Sequence, residues 1–198
     1  MARIVDKAAK RQQLVRAAAR VFAQQGFSNT SMASVAQAAA VSKGSLYDYF
    51  DSKEALFQAV FADYASSLMA QLAPALTAAS PLEQLQALIN GAVEQLQADL
   101  SLYPLTLEFW ACAGSGTQRQ IFRDAMARFY QAMRNLLTDV IERGQQAGQF
   151  RHAGDASAMA TIIVAALDGL MLQYWLAPDL PLDVLKARFL DHLIRGME

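Results

Sequence analysis

The chain has 198 residues, of which 54% are hydrophobic and 18% charged, and its net charge is −1 at pH 7. That length and apolar content exclude a disordered polyelectrolyte and allow one or two small domains around a sizeable core. The charge is unevenly spread: residues 1–60 carry eight Lys and Arg against four Asp and Glu, a net +4, and residues 61–198 carry nine against fourteen, a net −5. A basic head on an acidic body fits a protein whose head alone meets a polyanion.

Apolar residues recur at helical spacing along almost the whole chain, and alternating strand patterns are absent, so the expected fold class is all-α with about nine helices. The first helix is expected over 6–25, with Leu14, Ala17, Ala18, Val21 and Phe22 as its apolar stripe and Gly26 ending it. Thr30 or Ser31 caps a short second helix whose Met32, Val35 and Ala36 face inward. Ala39, Ala40 and Val41 make a turn, and Ser42 caps a third helix over about 43–49. Asp51 and Glu54 form a candidate capping box for a fourth helix, which carries Leu56, Phe57, Val60, Phe61 and Tyr64 and stops before Pro74. Pro81 opens a fifth helix to about 101, and Pro104 a sixth that ends at Gly114-Ser115-Gly116. The seventh has the clearest period, from Ile121 to Ile141, with Gly144 and Gly148 closing it. The eighth is expected over 156–176 and the ninth over 181–195. The domain boundary is placed in the fourth helix, dividing the chain into a head over 1–55 and a body over 56–198.

Helices two and three with their tight turn have the parts of a helix-turn-helix that docks in the major groove. Helix starts suit phosphate, because free backbone N–H groups and the helix dipole favour anions. Thr30, Ser31, Ser42 and Lys53 stand at such starts, and the hydroxyls of Tyr47 and Tyr49 add donors. Lys43, Gly44 and Ser45 open the third helix, where a recognition helix meets base edges. The same hydroxyls serve equally as caps with no further role. Arg3, Lys7 and Lys10 are either a basic arm along the backbone or a solvated face.

The body is rich in apolar and aromatic side chains. Phe61, Tyr64, Tyr103, Phe109, Trp110, Met126, Phe129, Met133, Met171 and Trp175 are candidate linings of a greasy ligand cavity, each of them also a plain core residue in the alternative. Glu108, Gln95 and Asp168 are candidate polar anchors. Helices eight and nine bring Ile163, Leu167, Leu170, Leu185, Phe189 and Leu193, the candidate seam of a homodimer across a two-fold axis.

Cys112 is the only cysteine, so no intrachain disulfide forms, which fits a reducing compartment. No signal-peptide core opens the chain, and the apolar segment 158–177 is broken by Asp168, Gly169 and Gln173, so the expectation is a buried helix, no membrane contact and a cytoplasmic location. His152 and His192 lie far from any paired carboxylates, and no phosphate loop, metal-ligand spacing or nucleophile elbow is present; no catalytic residue, cofactor or metal is expected.

Residues 10–57 resemble the DNA-binding domain of the TetR/AcrR family of bacterial regulators. The match runs through Leu14, Ala17-Ala18, Phe22, Gly26-Phe27, Thr30-Ser31-Met32, Val35-Ala36, Val41-Ser42-Lys43-Gly44, Leu46-Tyr47, Tyr49-Phe50, Ser52-Lys53-Glu54 and Leu56-Phe57. Leu167-Asp168-Gly169-Leu170 looks like the penultimate helix of many members. The resemblance implies a homodimeric regulator, most readily a repressor, whose heads bind a palindromic operator in double-stranded DNA and whose body binds a small-molecule effector. The alternative is a DNA-binding regulator controlled by a protein partner, with no small-molecule inducer. Two positions depart from the family pattern: Ala40, where glycine is frequent in the turn, and Asp48, whose carboxylate would repel phosphate.

Overall fold

The computed structural model describes residues 6–98, 100–116, 118–151 and 154–197, without the side chain of Leu96. Arg3 and His152 lie outside the described residues. Those residues form nine α-helices and two short 3-10 turns and, among themselves, no strand. The helices are α1 Lys7–Asn29, α2 Met32–Ala38, α3 Lys43–Tyr47, α4 Lys53–Leu72, α5 Pro81–Ala98, α6 Tyr103–Gly114, α7 Arg119–Gln146, α8 Ala156–Leu176 and α9 Leu182–Met197. The 3-10 turns cover Ala73–Thr77 and Leu100–Leu102.

The chain divides into two compact units, the described residues of Met1–Ser67 with Ser101–Met126, and those of Leu68–Leu100 with Ala127–Glu198. In the first unit, Asp6 caps α1 by accepting from the Ala8 and Ala9 amides. The stripe Leu14, Val15, Ala17, Ala18, Val21 and Phe22 is buried as its spacing requires. Gly26 breaks the helical geometry with φ 75° and ψ 163°, values in which a Cβ-bearing residue is strained. Phe57 of α4 is the hub of this core. Its ring lies 4.7 Å from Phe22, 4.7 Å from Phe27, 4.9 Å from Phe109 and 5.3 Å from Phe122. A wholly buried phenylalanine in such a cluster stabilises the fold by about 3–5 kcal/mol relative to alanine.

Two local expectations change. Ser52, not Asp51, caps α4, its hydroxyl accepting from the Ala55 amide at 3.0 Å. The reciprocal Ser/Glu box stands instead at α5, where Ser80 Oγ accepts from the Glu83 amide and Glu83 Oε2 accepts from the Ser80 amide. Gly144 lies inside α7 and does not end it.

In the second unit, α5 packs against α8, α9 and the 3-10 turn Ala73–Thr77. Leu85, Ile89, Val93, Leu137, Val140 and Ile163 fill the interior. Arg143 bridges to Gln84 Oε1 at 2.8 Å and pairs with Asp139 at 3.0 Å. The α8 helix is long and apolar enough by composition to cross a membrane, yet Asp168 sits in its middle. Only 22% of its most apolar window is buried within this single chain.

Candidate functional site

The α2–turn–α3 segment is built by a cap at the start of each helix and by a left-handed turn between them. Ser31, not Thr30, caps α2: its hydroxyl accepts from the Ser34 amide at 3.1 Å, and Ser34 Oγ accepts in return from the Ser31 amide at 3.1 Å. The α2 helix closes in a Schellman arrangement. The Val41 amide donates to Ala36 O at 3.0 Å and the Ala40 amide to Gln37 O at 3.1 Å. This geometry drives Ala40 to φ 54°, so alanine occupies a position that favours glycine. Ser42 Oγ then caps α3 through the Ser45 amide at 3.1 Å. Met32, Val35, Ala36, Leu46 and Phe50 are buried and anchor the pair.

That anchoring leaves Ser31, Ser42, Lys43, Gly44 and Tyr47 exposed, with Tyr47 at 44%. Lys43 and Tyr47 are one helical turn apart, and the Lys43 ammonium lies 5.8 Å from the Tyr47 ring centroid. A Cβ on Gly44 would meet nothing nearer than Ser42 Oγ at 3.8 Å. The protein's own packing therefore does not require glycine there. Ser45 and Tyr49 are half-buried. Asp48 is exposed just past α3 and puts a carboxylate beside this cationic edge.

Thr30 and Lys53 are placed differently from the exposed group. Thr30 is 3% exposed, and its hydroxyl donates to Gly26 O at 2.7 Å. Lys53 reaches back across the head, donating to Phe27 O at 2.8 Å and Ser28 O at 3.3 Å, with its ammonium 4.5 Å from the Phe27 ring. Both side chains are engaged inside the protein in this structure.

The candidate ligand residues divide between the two units. Phe61, Tyr64, Tyr103, Phe109, Trp110 and Met126 belong to the first, and Phe129, Met133, Met171 and Trp175 to the second. Phe109 is 1% exposed and meets Phe61 edge-on at 4.9 Å, so both are part of the first unit's aromatic core. Tyr103 is also buried, Tyr64 half-buried, and Trp110 38% exposed. In the second unit, Met133 is buried, while Phe129, Met171 and Trp175 are half-buried. Each unit has a cleft. The first unit's is about 240 Å³, lined by Phe27, Glu54, Glu108, Cys112, Gln118 and Phe122 among others. The second unit's is about 250 Å³, lined by Ile141, Gln145, Phe150, Asp155, Met159 and Met197 among others. None of the ten candidates lines either cleft.

Among the polar anchors, Glu108 accepts from the Phe27 amide at 3.1 Å. Burial pushes the Asp168 carboxyl above its ordinary range, and a hydrogen bond from the Tyr130 hydroxyl opposes that shift. Burial likewise raises the Cys112 thiol, and the Glu108 carboxylate adds to the effect. Among the described residues, no group of three His, Cys, Asp or Glu is arranged to hold a metal.

On the candidate dimer seam, Ile163, Leu167 and Leu193 are buried within their own chain at 0%, 9% and 9% exposure. Leu170 and Phe189 are half-buried, and Leu185 is 37% exposed. The open apolar residues of α8 and α9 are Ile162, Leu176, Val184 and Leu185. Sequence spacing alone did not single out Ile162, Leu176 and Val184. On this helix, apolar nearly all round, Ile163 is buried in its own chain and its neighbour Ile162 is 59% exposed.

Known proteins are similar to this chain in sequence and in fold. Residues 14–60 match the model of the bacterial regulatory proteins of the tetR family, and residues 81–196 match the model of the BetI-type transcriptional repressor C-terminal domain. The HTH-type transcriptional repressor DhaR of Mycobacterium sp. (strain GP1) is 26% identical over 173 residues, covering 82% of this chain and 81% of DhaR. The HTH-type transcriptional regulator BetI of Escherichia coli (strain K12) is 28% identical over 184 residues, covering 91% and 89%. Among solved structures, a transcriptional regulator from Pseudomonas aeruginosa PAO1 superposes with a TM-score of 0.85 at 22% identity, covering 98% of this chain and 92% of that one. FadR from Bacillus subtilis superposes at 0.80 and 22% identity, covering 94% and 99%. With its N-terminal head and its C-terminal helices each matching a model of the family, the chain belongs to the TetR family of bacterial transcriptional regulators.

Proposed function

We propose that two copies of this chain pair through α8 and α9 and present their α3 helices to successive major-groove faces of a palindromic operator. A small apolar or amphipathic molecule in the helical body then favours a pair with the wrong head spacing, and the operator is released. The observation that carries the DNA-binding part is the exposed group Ser42, Lys43, Gly44 and Tyr47 on a capped helix whose other side is anchored by Leu46. Phosphate contacts supply affinity, and the first turn of α3 supplies base discrimination of about 1–3 kcal/mol for a good bidentate contact. Ser31 and Ser42 keep free helix-start amides beside their hydroxyls for phosphate. The proposed division of labour is 1–55 for DNA and 56–198 for ligand and pairing.

The open apolar residues Ile162, Leu176, Val184 and Leu185 support pairing through α8 and α9. Two-fold symmetry would set the heads one DNA turn, about 34–36 Å, or a multiple apart. The repressor sense is supported by the relatives' names and by the C-terminal family model. FadR of Bacillus subtilis was solved in complex with stearoyl-CoA, an amphipathic molecule, which supports that ligand class here. The protein would act in the cytoplasm, as a regulator and not as an enzyme. Ligand release needs differential affinity for two states, and couplings of this kind are about 1–3 kcal/mol.

Fluorescence anisotropy with duplexes from the gene's own upstream region tests the proposal. A salt-dependent, saturable complex of two chains per site, dissociated by a member of an apolar compound panel that also raises the melting temperature, is the expected result. Absence of salt-dependent binding to every such duplex overturns it.

A further inference from the structure

The last turn of α1, where the chain turns toward α2, is held by side chains at the backbone of Gly26, Phe27 and Ser28. Gly26 leaves helical geometry at φ 75°, which takes the Phe27 amide out of the regular helical path. That amide is accepted by Glu108 Oε2 at 3.1 Å. The carbonyl of the same residue accepts from Lys53 Nζ at 2.8 Å, and the Ser28 carbonyl accepts from it at 3.3 Å. Thr30 Oγ1 donates to the Gly26 carbonyl at 2.7 Å, and Ser31 then opens α2. Three of these four grips come from residues 26–53. The Glu108 carboxylate comes from α6, 81 residues along the chain from Phe27.

The fit at Gly26 is close. A Cβ there would lie 2.8 Å from Glu108 Oε1. A carboxylate accepting from a backbone amide at a left-handed break is a charge-assisted bond at a defined place, stronger than a neutral pair. The bond is part-buried, so losing the carboxylate removes a charge-assisted partner from a donor that water reaches poorly. The Cys112 thiol, one turn further along α6, has its pKa raised in part by Glu108, as a nearby negative charge requires.

We propose that Glu108 is a positioning residue for operator binding: by gripping the Phe27 amide from α6 it sets the direction in which the chain enters α2, and with it the seat of α3. This rests on the reading of α2 and α3 as the DNA-binding pair. Glu108 itself touches no DNA. Its removal misaligns base contacts while leaving the phosphate-binding charges in place, so specific binding falls and non-specific binding does not.

The experiment measures operator and random-duplex affinity across a salt series for wild type, Glu108→Ala and Glu108→Gln, with circular dichroism and melting temperature beside them. Expected for Glu108→Ala is a loss of operator affinity of about tenfold or more. Its random-duplex affinity and salt slope should stay as in the wild type, and Glu108→Gln, which keeps an acceptor, should recover most of the loss. A purely structural role would lower operator and random binding together with the melting temperature. If Glu108→Ala does not fold, Glu108→Asp takes its place, because its carboxylate stops one methylene short of the Phe27 amide. It should lose operator affinity while random-duplex affinity and salt slope stay as in the wild type. Unchanged operator affinity in the Ala or Asp variant, or a Gln variant as impaired as Ala, overturns the inference. Failure of wild type to bind any duplex overturns instead the DNA-binding reading.

Discussion

The Phe150 ring rests directly on the backbone of Gly144: a Cβ at residue 144 would come within 2.1 Å of Phe150 Cδ2 and 2.2 Å of Cε2. The Gly144 carbonyl also accepts from the Gln149 amide at 2.8 Å, so the chain folds back over its own last helical turn. Glycine at this buried site serves close approach and not helix termination. Gly144→Ala should therefore destabilise by about 1–3 kcal/mol through overpacking. The helix-propensity gain of up to about 1 kcal/mol only partly offsets that. A lower denaturant midpoint at unchanged slope is the expected record; a midpoint equal to or above wild type would refute the packing argument.

Ala40 illustrates the opposite case. It occupies φ 54° in the turn of the head, where a Cβ is unfavourable. Ala40→Gly should stabilise by about 0.5–1 kcal/mol, the relief of strain exceeding the added unfolded-state entropy. Thermal unfolding of the whole chain, or of the head by hydrogen exchange, reads this directly, and a destabilised variant would contradict the assigned turn.

Lys43 and Gly44 separate folding from recognition. Neither is needed for packing, since Lys43 is exposed and a Cβ on Gly44 meets only an ordinary contact. Lys43→Ala should weaken operator binding by about 1–3 kcal/mol and random-duplex binding by much less. Gly44→Ala should leave the melting temperature unchanged or slightly higher and still reduce operator affinity by blocking close approach. Equal losses on specific and random duplexes would place both residues outside the base-reading edge.

Asp168 supplies a pH signature. Its carboxyl titrates above the ordinary value because it is buried, despite the hydrogen bond from Tyr130. A raised folded-state value favours the neutral form. The stabilisation is full below the unfolded value of about 3.9 and is lost as pH rises through the folded value. Asp168→Asn should therefore be more stable than wild type near neutrality, with the gap closing in acid. Tyr130→Phe should raise the Asp168 titration further, read from carboxyl carbon shifts; a lowered value would contradict the assigned bond.

Pairing is best challenged at residues that the monomer leaves open. Val184 and Leu185 are 57% and 37% exposed, whereas Leu193 is 9% exposed and would disturb the fold if charged. Val184→Asp with Leu185→Asp should give a folded monomer by sedimentation and lose operator binding. A variant that stays dimeric moves the interface elsewhere, and a DNA-competent monomer removes pairing from the mechanism.

Much of the fold is encoded locally. The bounds of α8 agree with the expected span, and those of α2 follow from Ser31, Met32, Val35 and Ala36 within one short stretch. Caps and apolar stripes act over three or four residues, so a linear reading finds them. The box at Ser80 and Glu83 has the same spacing as Asp51 and Glu54, yet only the former closes. The Ser52 hydroxyl, one residue beyond Asp51, takes the cap at α4.

What composition and spacing determined was an all-helical chain with a basic head that carries a doubly capped helix pair, because caps and stripes depend on neighbours a turn away. Tertiary structure decided where polar groups point. Lys53 reaches Phe27 across 26 residues, and Glu108 does so across 81. It also decided that Ile162 is open on α8 while its neighbour Ile163 is buried. A side chain chooses between solvent, DNA and a distant backbone amide by which partner the packed core brings within about 3 Å, and no local period encodes that distance.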